Sequence, residues 1–375
     1  MKNKILITGS RGFIGKNITI KINESDSYSC LFVNREDDIR DFKKSLKYIK
    51  CIIHLAAENR SDNENDFQKN NVDFTQELCN FLTESSIKIP IIFTSSVQTN
   101  LDNIYGITKK KAELVLTEFN NKTNNPIKIL NLTNVFGKWA KESHNSFIAT
   151  FCKNIGNNKS VIIDNETNVV HLSYIDNVVK LILKYVQTGF DGFTKEDVKS
   201  DFSVTVGEIY NRIKYYHRYR TYPRRSSIES NLDKYLYSTF LSYLDSSKYA
   251  YSIDKHTDDR GDFIELFKDT IDCQISFFTS NKGVTRGKHY HHTKVEKFFV
   301  LSGKARFKYI NVINKAVYEE TISSKDKKII ETIPGWSHEI KNVGDSELKV
   351  IGRASELFNH DHPDTCAYAG SKGEY

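Results

Sequence analysis

The amino-acid sequence predicts two domains of different class, a doubly wound α/β domain with a parallel sheet and then an all-β barrel of the jelly-roll type. Its 375 residues suggest two or three domains. Up to about residue 185, short apolar runs alternate with helical stretches. From about residue 255, short strands with glycine turns follow one another without a long helix. We place the boundary near 246, in the polar stretch Leu244–Lys248, so the predicted domains are residues 1–245 and 246–375.

The α/β domain is predicted from five short runs rich in apolar and β-branched residues, as expected for strands that are buried on both faces. These runs are Lys4–Thr8, Ser29–Val33, Cys51–Leu55, Ile89–Thr94 and Ile127–Leu132. Stretches with helical periodicity lie between them, among them Asp66–Thr83 and Gly106–Phe119. Strands that alternate with helices predict a parallel sheet with right-handed crossover connections.

The all-β domain is predicted from five further runs that turn residues separate. These runs are Arg260–Phe267, Ile275–Thr279, Lys297–Leu301, Ala305–Tyr309 and Glu347–Ile351. Before them, Tyr210–Arg225 is crowded with tyrosine and arginine. That segment is compatible with a helix that has a basic, aromatic solvent face, and also with a wall that binds a phosphate-bearing substrate.

Composition excludes several classes of protein. Hydrophobic residues make up 39% and charged residues 27%, which excludes wholesale disorder. No apolar stretch approaches the ~20 residues of a membrane-spanning helix and the first apolar run is too short for a secretion signal, so we expect a cytoplasmic protein without a membrane partner. Six scattered cysteines form no CxxC pair, which argues against a disulfide framework. The net charge of +7 contains no dense basic block, so nucleic acid is not favoured and a phosphorylated small molecule fits as well.

A glycine-rich segment follows the first predicted strand and opens a helix. Gly9, Gly12 and Gly15 permit a tight turn, close approach of the backbone to a pyrophosphate, and close packing of the strand against the helix. The residues that start the helix, Phe13 and Ile14, offer free backbone N–H groups to the anion. The sequence therefore predicts a dinucleotide site at this turn.

The G-x-x-G-x-x-G spacing resembles the extended type of the short-chain dehydrogenase/reductase superfamily, over about residues 1–240. His54–Ala57 (HLAA), Thr94–Ser96 (TSS) and Tyr105–Lys109 (YGITK) support the resemblance. The pattern Tyr-x-x-x-Lys occurs five times in this chain. Only the copy at Tyr105 comes shortly after a predicted strand that ends in serine and also begins a helix. The resemblance implies a Rossmann-type fold and a nicotinamide coenzyme.

The resemblance also implies that Tyr105 and Lys109 are catalytic. A four-residue helical step puts both side chains on one face. An ammonium beside a phenol favours the phenolate, so we expect the pKa of Tyr105 to fall from ~10 and the pair to pass a proton to or from a carbinol oxygen. We assign the hydroxyl that holds this oxygen to Ser96, with Ser95 as the alternative. Coenzyme contacts are implied for Tyr105, Lys109, Leu55, Ala56 and Ala57.

The end of the second predicted strand indicates which nicotinamide coenzyme binds. An acid at this point would hold the ribose 2′-hydroxyl of NAD, but the strand ends Val33-Asn34-Arg35. Arg11 in the glycine loop and Arg35 present two guanidinium groups, which suit a 2′-phosphate. We therefore predict NADPH.

Two later segments resemble the substrate-binding parts of the extended family. Asn134–Gly137 (NVFG) resembles the substrate loop, and His171–Asp176 (HLSYID) resembles the segment that closes over a nucleotide-linked sugar. The resemblance implies substrate contacts from Asn134 and His171. Ordinary packing and capping is an equal alternative for both segments.

Four of the eleven histidines lie between residues 289 and 338. The spacing of His289, His291 and Glu296, together with the later His338, resembles the cupin signature, over about residues 255–355. Residues two apart in a strand face the same side, so His289 and His291 can point together into the barrel. With Glu296 and His338 they make a set of three nitrogens and one oxygen suited to a divalent metal, zinc by preference. A barrel that binds no metal is the alternative.

A second resemblance overlaps the first. Asp259–Glu265 (DRGDFIE) and Arg286–Tyr290 (RGKHY) are similar to segments of the deoxysugar 3,5-epimerases of rhamnose synthesis, which are cupins that act on nucleotide-linked 4-keto sugars. The similarity implies substrate contacts from Arg260 and Glu265. In those epimerases the histidine that matches His289 is a catalytic base. Both roles of His289, metal ligand and base, therefore stay open, since one lone pair cannot serve both.

Over its whole length the chain resembles the CapF-type family of bifunctional capsular polysaccharide and O-antigen enzymes, as in Val135–Trp139 (VFGKW) and His289–Phe298 (HYHHTKVEKF). The resemblance implies a homodimer. It also implies carbon-3 epimerisation of a UDP-2-acetamido-2,6-dideoxy-4-hexulose in the cupin and then NADPH-dependent reduction of the 4-keto group, on the UDP-N-acetyl-6-deoxytalose/fucosamine route. Epimerisation comes first because reduction removes the carbonyl that acidifies the carbon-3 hydrogen. The alternatives are a single-function 4-ketoreductase whose cupin is a dimerisation or sugar-binding module, and a sugar-binding sensor.

Overall fold

A computed structural model describes residues 3–24, 27–142, 144, 146–221, 230–268, 273–357, 361 and 363–368. The chain forms two compact units. The N-terminal unit comprises Met1–Lys214 and Ser230–Ser246, and the C-terminal unit comprises the segments that begin at Tyr215 and at Ser247.

The N-terminal unit contains two sheets. Its strands are β1 (Asn3–Thr8), β2 (Tyr28–Val33), β3 (Ile49–His54), β4 (Ile91–Ser96), β5 (Ile127–Leu132), β6 (Asn134–Phe136), β7 (Val169–Tyr174), β8 (Phe193–Asp197) and β9 (Phe202–Thr205). The larger sheet is parallel throughout and has the order β2-β1-β3-β4-β5-β8, and the smaller one has the order β6-β7-β9. All five predicted strands are present in the larger sheet, which confirms the predicted α/β class.

Helices connect these strands. They are α1 (Phe13–Asn23), α2 (Glu64–Phe67), α3 (Phe74–Ser85), α4 (Ile104–Thr123), α5 (Phe147–Gly156), α6 (Ile175–Thr188), α7 (Val206–Tyr219) and α8 (Asn231–Ser242). Three short 3₁₀ segments span Ile39–Tyr48, Val97–Asn100 and Ser246–Lys248. A π-helical turn at Gln68–Asp73 joins α2 to α3, so the helix predicted over Asp66–Thr83 is present but widened at its start. None of the helices among the described residues has the length and apolar character that crossing a membrane requires.

The parallel sheet explains how distant motifs reach one place. Its central strands are apolar on both faces; Leu6, Ile52 and Phe93 are fully buried in one core cluster with residues of α3 and α4. The loops that leave the carboxyl ends of parallel strands all emerge along the same border. The glycine loop after β1, the HLAA segment after β3 and Ser96 at the end of β4 therefore share this border.

Of the aromatic segment predicted from Tyr210, the part up to Tyr219 lies in α7, and residues 222–225 lie outside the described residues.

The C-terminal unit is an all-β fold. Its strands are β10 (Lys255–Asp258), β11 (Gly261–Lys268), β12 (Gln274–Ser280), β13 (Thr285–Tyr290), β14 (Glu296–Ser302), β15 (Lys304–Asn311), β16 (Val317–Ser323), β17 (Ile329–Glu331), β18 (Trp336–Asn342), β19 (Leu348–Ala354) and β20 (Cys366–Ala367). They form two antiparallel sheets with the orders β10-β11-β12-β19-β14-β17 and β16-β15-β18-β13-β20. Phe278, Phe298 and Phe307 belong to the apolar core between them. The predicted cupin-type barrel is confirmed.

Candidate functional site

The glycine loop between β1 and α1 closes tightly on the segment after β3. Gly9 has a φ of +70°, and a Cβ there would lie 2.7 Å from the backbone nitrogen of Ala56. A Cβ on Gly15 would lie 2.3 Å from the carbonyl oxygen of Gly9. The N–H of Gly12 donates to that same oxygen at 3.0 Å, and α1 then begins at Phe13 without a side-chain cap from the described residues. The first amide groups of α1 are thus available to an anion such as a pyrophosphate.

A cavity of about 650 Å³ opens beside this loop, within the size range of cofactor sites. The structure brings most of the predicted coenzyme residues to its wall, namely Gly9, Arg11, Gly12, Arg35, Leu55, Ala56 and Ala57. Five predicted coenzyme residues do not line it: Phe13, Ile14 and Gly15 form the first turn of α1, and Tyr105 and Lys109 lie on α4. The residues present therefore fit a dinucleotide whose pyrophosphate lies at the start of α1.

Two buried threonine side chains that the sequence did not single out, Thr8 and Thr75, hold the HLAA segment in place. The hydroxyl of Thr8 accepts the N–H groups of Leu55 and Ala56, each at 3.1 Å, and lies 2.7 Å from Nδ1 of His54. Nε2 of His54 lies 2.9 Å from the hydroxyl of Thr75. Burial lowers the pKa of His54 to about 3, so its ring is neutral and serves to position the loop.

The predicted catalytic serine and tyrosine meet at the end of β4. The side chain of Ser96 lowers the pKa of Tyr105 against the larger effect of burial, so the two side chains are close, and the hydroxyl of Ser96 accepts the N–H of Gln98 at 3.2 Å. The hydroxyl of the alternative, Ser95, is buried and has no hydrogen-bond partner among the described residues. The geometry therefore favours Ser96 as the partner of Tyr105.

The electrostatics of this pair differ from the expectation. Burial raises the pKa of Tyr105 to about 12, so the predicted lowering by Lys109 is wrong for this structure. The ammonium of Lys109 is engaged elsewhere, since Nζ donates to the carbonyl of Thr94 at 2.7 Å and lies 3.8 Å from the ring centre of Phe93. Burial also lowers the pKa of Lys109 to about 7. Tyr105 is consequently a neutral phenol, which is the form that can donate a proton to a carbonyl oxygen.

The two arginines predicted for a 2′-phosphate both have carboxylate partners. Arg11 pairs with Glu36, and Arg35 pairs with Glu58. Arg11 and Glu36 are both largely exposed, whereas the side chain of Glu58 is only 11% exposed. Sequence reasoning missed Glu58, because nothing in its local pattern indicates a contact with the end of β2.

The two residues predicted to contact a sugar lie on the smaller sheet. Asn134 is in β6 and His171 is in β7, and the register pairs Asn134 with Leu172. Both are exposed, and neither lines the cavity beside the glycine loop. The structure therefore brings them close to each other and keeps them out of the wall of that cavity.

In the C-terminal unit, four predicted metal ligands converge. One ligand atom from each of His289, His291, Glu296 and His338 lies within 4.8 Å of the others. Paired strands β13 and β18 place His289 opposite His338, and Oε2 of Glu296 lies 3.2 Å from Nε2 of both His291 and His338. His291 and His338 are 1% and 3% exposed, whereas the neighbouring His292 is exposed.

The donor set fits a divalent metal. Nδ1 of His291 contacts the backbone carbonyl of Asp364, and its other ring nitrogen, Nε2, lies 3.2 Å from Oε2 of Glu296. Burial opposes ionisation of Glu296, but its bonds with His291 and His338 lower its pKa overall. Burial is the main reason, and the nearby His338 the second, that the pKa of His289 is lowered to about 4. Three imidazoles and one carboxylate thus converge on one point, an arrangement that can hold a divalent cation.

A cavity of about 680 Å³ opens onto this cluster. Arg260 and Glu265, both predicted to contact substrate, line it; Arg260 pairs with Asp258, and Glu265 accepts the side-chain amide of Gln274 at 2.8 Å. Arg286 also lines the cavity and was missed as a site residue. The cavity thus combines the His/Glu cluster with several cationic and several acidic side chains.

Comparison with known proteins agrees with this architecture. Residues 5–199 match the NAD dependent epimerase/dehydratase family, and residues 256–366 match the polysaccharide biosynthesis C-terminal domain. A Pseudomonas aeruginosa protein named UDP-2-acetamido-2,6-beta-L-arabino-hexul-4-ose reductase is 36% identical over 371 residues, 99% of both chains.

One solved structure matches nearly the whole chain, and another matches about two thirds of it. The crystal structure of the capsular polysaccharide assembling protein CapF from Staphylococcus aureus matches with a TM-score of 0.88 and 32% identity, over 97% of this chain and 99% of that chain. A UDP-glucuronic acid 4-epimerase from Bacillus cereus, in complex with NAD, matches with a TM-score of 0.56 and 17% identity, over 64% of this chain and 98% of that chain. The second similarity shows the fold alone.

Proposed function

Because the chain belongs to the NAD dependent epimerase/dehydratase family and, through both of its parts, to the CapF type, we propose that it is a bifunctional nucleotide-sugar enzyme. Its substrate is a UDP-2-acetamido-2,6-dideoxy-4-hexulose, which the cupin epimerises at carbon 3 and the N-terminal domain reduces at carbon 4. The product is a precursor of capsule or O-antigen sugars on the UDP-N-acetyl-6-deoxytalose/fucosamine route. The functional domains are residues 1–245 and 246–375, and the protein acts in the cytoplasm as a homodimer.

The observation that carries the reductase assignment is that the side chain of Ser96, at the end of β4, lies close enough to the phenol of Tyr105 to act on its pKa. When bound, a nicotinamide coenzyme supplies the hydride. Ser96 holds the keto oxygen, and the neutral phenol of Tyr105 donates its proton to that oxygen as it gains electrons. Lys109, with a pKa of about 7, supplies positive charge beside the pair near neutral pH. Gly9, Gly12 and Gly15, with the start of α1, hold the pyrophosphate.

NADPH is the proposed coenzyme. Support comes from the guanidinium groups of Arg11 and Arg35, which both line the cavity where β2 ends. Each can exchange its carboxylate partner for a phosphate, because guanidinium–phosphate bonds are bidentate and charge-assisted. The ammonium of Lys69 lines the same cavity and adds a third positive charge.

The barrel is proposed as the epimerase. His289, His291, Glu296 and His338 would hold a divalent metal, and zinc suits their three nitrogens and one oxygen. When bound, such an ion polarises a keto oxygen and makes the adjacent carbon-bound hydrogen more acidic. Arg260 and other cations in the cavity wall orient the anionic diphosphate of the substrate. His289 is assigned as a ligand because it lies within the cluster.

The test uses the full chain with a UDP-linked 4-keto-6-deoxy-N-acetylhexosamine in deuterated water. Without coenzyme, mass spectrometry should show one deuterium entering carbon 3; with NADPH, absorbance at 340 nm should fall as a 4-hydroxy product forms. NADPH oxidation without exchange would refute the epimerase and favour a single-function 4-ketoreductase whose cupin serves dimerisation or sugar binding. Binding of the UDP-sugar without either reaction would refute both activities and favour a sensor.

A further inference from the structure

Glu58 places a largely buried carboxylate against Arg35, one of the two arginines proposed to bind the 2′-phosphate of the coenzyme. The carboxylate of Glu58 pairs with the guanidinium of Arg35, and the two side chains are 11% and 71% exposed, respectively. In the neighbouring pair both partners are exposed, at 72% for Arg11 and 55% for Glu36. Solvent screens the exposed Arg11–Glu36 pair more than it screens the carboxylate of Glu58, so Glu58 is the stronger competitor for its own arginine.

The backbone of Glu58 cannot easily move away. Its N–H donates to Oδ1 of Asn71 at 2.6 Å, and Nδ2 of Asn71 donates back to its carbonyl at 3.0 Å. Asn71 is 1% exposed, lies in the π-helical turn, and donates to the hydroxyl of Thr108 on α4 at 2.9 Å. Glu58 is thus anchored to the helix that carries Tyr105, whereas the exposed head of Arg35 has room to turn.

We propose that Glu58 sets coenzyme selectivity by competing with the 2′-phosphate of the coenzyme for the guanidinium of Arg35. This inference rests on the proposed use of NADPH. A phosphate that binds Arg35 shares the guanidinium with the Glu58 carboxylate or displaces it, and in both cases the carboxylate stays close by as a repelling charge. A coenzyme with a free 2′-hydroxyl meets no such repulsion, and its hydroxyl can donate to the carboxylate. Glu58 therefore reduces the preference for NADPH over NADH.

The test is the affinity of the full chain for 2′,5′-ADP and for 5′-AMP, measured by calorimetry at one low ionic strength. Glu58→Gln keeps the size of the side chain and removes the charge. It should tighten binding of 2′,5′-ADP about fivefold and change binding of 5′-AMP less than about twofold. Glu77→Gln is the matched control, since Glu77 lines the same cavity but pairs with Arg40.

The outcomes separate this inference from the coenzyme assignment. If wild-type protein binds 2′,5′-ADP no more tightly than 5′-AMP, the NADPH assignment itself fails. If wild-type protein prefers 2′,5′-ADP but Glu58→Gln binds it equally or more weakly, only the competition is refuted. If Glu77→Gln tightened binding of 2′,5′-ADP as much as Glu58→Gln does, the competition would also be refuted, because loss of any nearby negative charge would then have the same effect. In an Arg35→Met background, Glu58→Gln should lose most of its effect if the two compete.

Discussion

Replacing Tyr105 with phenylalanine removes the proposed proton donor and little else. The ring stays, and the hydroxyl that is lost is the one beside Ser96. Ser96 keeps its bond from the N–H of Gln98, so it stays oriented. One hydrogen bond is worth about 1 kcal/mol of stability, so the variant should fold and melt within a few degrees of wild type.

The expected loss of activity is far larger than this loss of stability. With its pKa raised to about 12, Tyr105 is protonated at every pH at which the enzyme is assayed, so it can donate a proton to the keto oxygen in each turnover. General acid catalysis contributes about 10²- to 10⁴-fold, or roughly 3–5 kcal/mol of transition-state stabilisation. Tyr105→Phe should therefore lower kcat for NADPH oxidation by about this factor.

The assay follows NADPH absorbance and deuterium entry at carbon 3 in parallel. Because the metal-ligand cluster belongs to the C-terminal unit, Tyr105→Phe should leave exchange unchanged while reduction is lost. Tyr210→Phe is the matched control, since Tyr210 begins another Tyr-x-x-x-Lys on α7, with Lys214 lying 5.5 Å from its ring centre. That variant should keep both activities.

Two results would refute this reasoning. A kcat for Tyr105→Phe within about threefold of wild type would show that another group donates the proton. Loss of carbon-3 exchange together with reduction, in a protein that is folded and retains its metal, would show that the two reactions share one site.

Three further perturbations test other parts of the molecule. Gly15→Ala should abolish coenzyme binding measured by fluorescence, because its Cβ would lie 2.3 Å from a carbonyl of the glycine loop; retained binding would contradict the loop assignment. The kcat/KM for reduction should fall as pH rises through about 7, where Lys109 loses its charge, and in Glu113→Gln this fall should move to lower pH because Glu113 raises the pKa of Lys109. An unshifted pH profile in Glu113→Gln would show that the ionisation of Lys109 does not control the reaction. His338→Ala should lower bound zinc, measured by plasma mass spectrometry, from about one per chain to near none and abolish carbon-3 exchange, whereas His292→Ala should keep both.

The predicted fold and much of the candidate site follow from local patterns. Apolar runs of five or six residues identified the strands of the parallel sheet because a strand buried on both faces admits few polar residues. The glycine spacing predicted the loop because a Cβ at Gly9 or Gly15 would lie within 2.7 Å of a backbone atom, so glycine is required at both positions. His289 and His291 were recognisable as a pair because alternate residues of a strand share a face.

Other contacts had no signal in the sequence. Asp364 orients His291 from 73 positions away, and it does so through a backbone carbonyl, which every residue possesses. Glu58 reaches Arg35 only because the ends of β2 and β3 emerge at one border of the sheet. No rule of spacing predicts either partner.

The sequence by itself determined which side chains are available for catalysis and where tight turns must occur, because both depend on residue type over a few neighbouring positions. Only the tertiary structure decided how those side chains are charged. Burial raises the pKa of Tyr105 and lowers that of Lys109, reversing the expectation from their helical spacing. The physical reason is that desolvation and Coulomb interactions depend on distances in space, which folding sets among segments far apart along the chain.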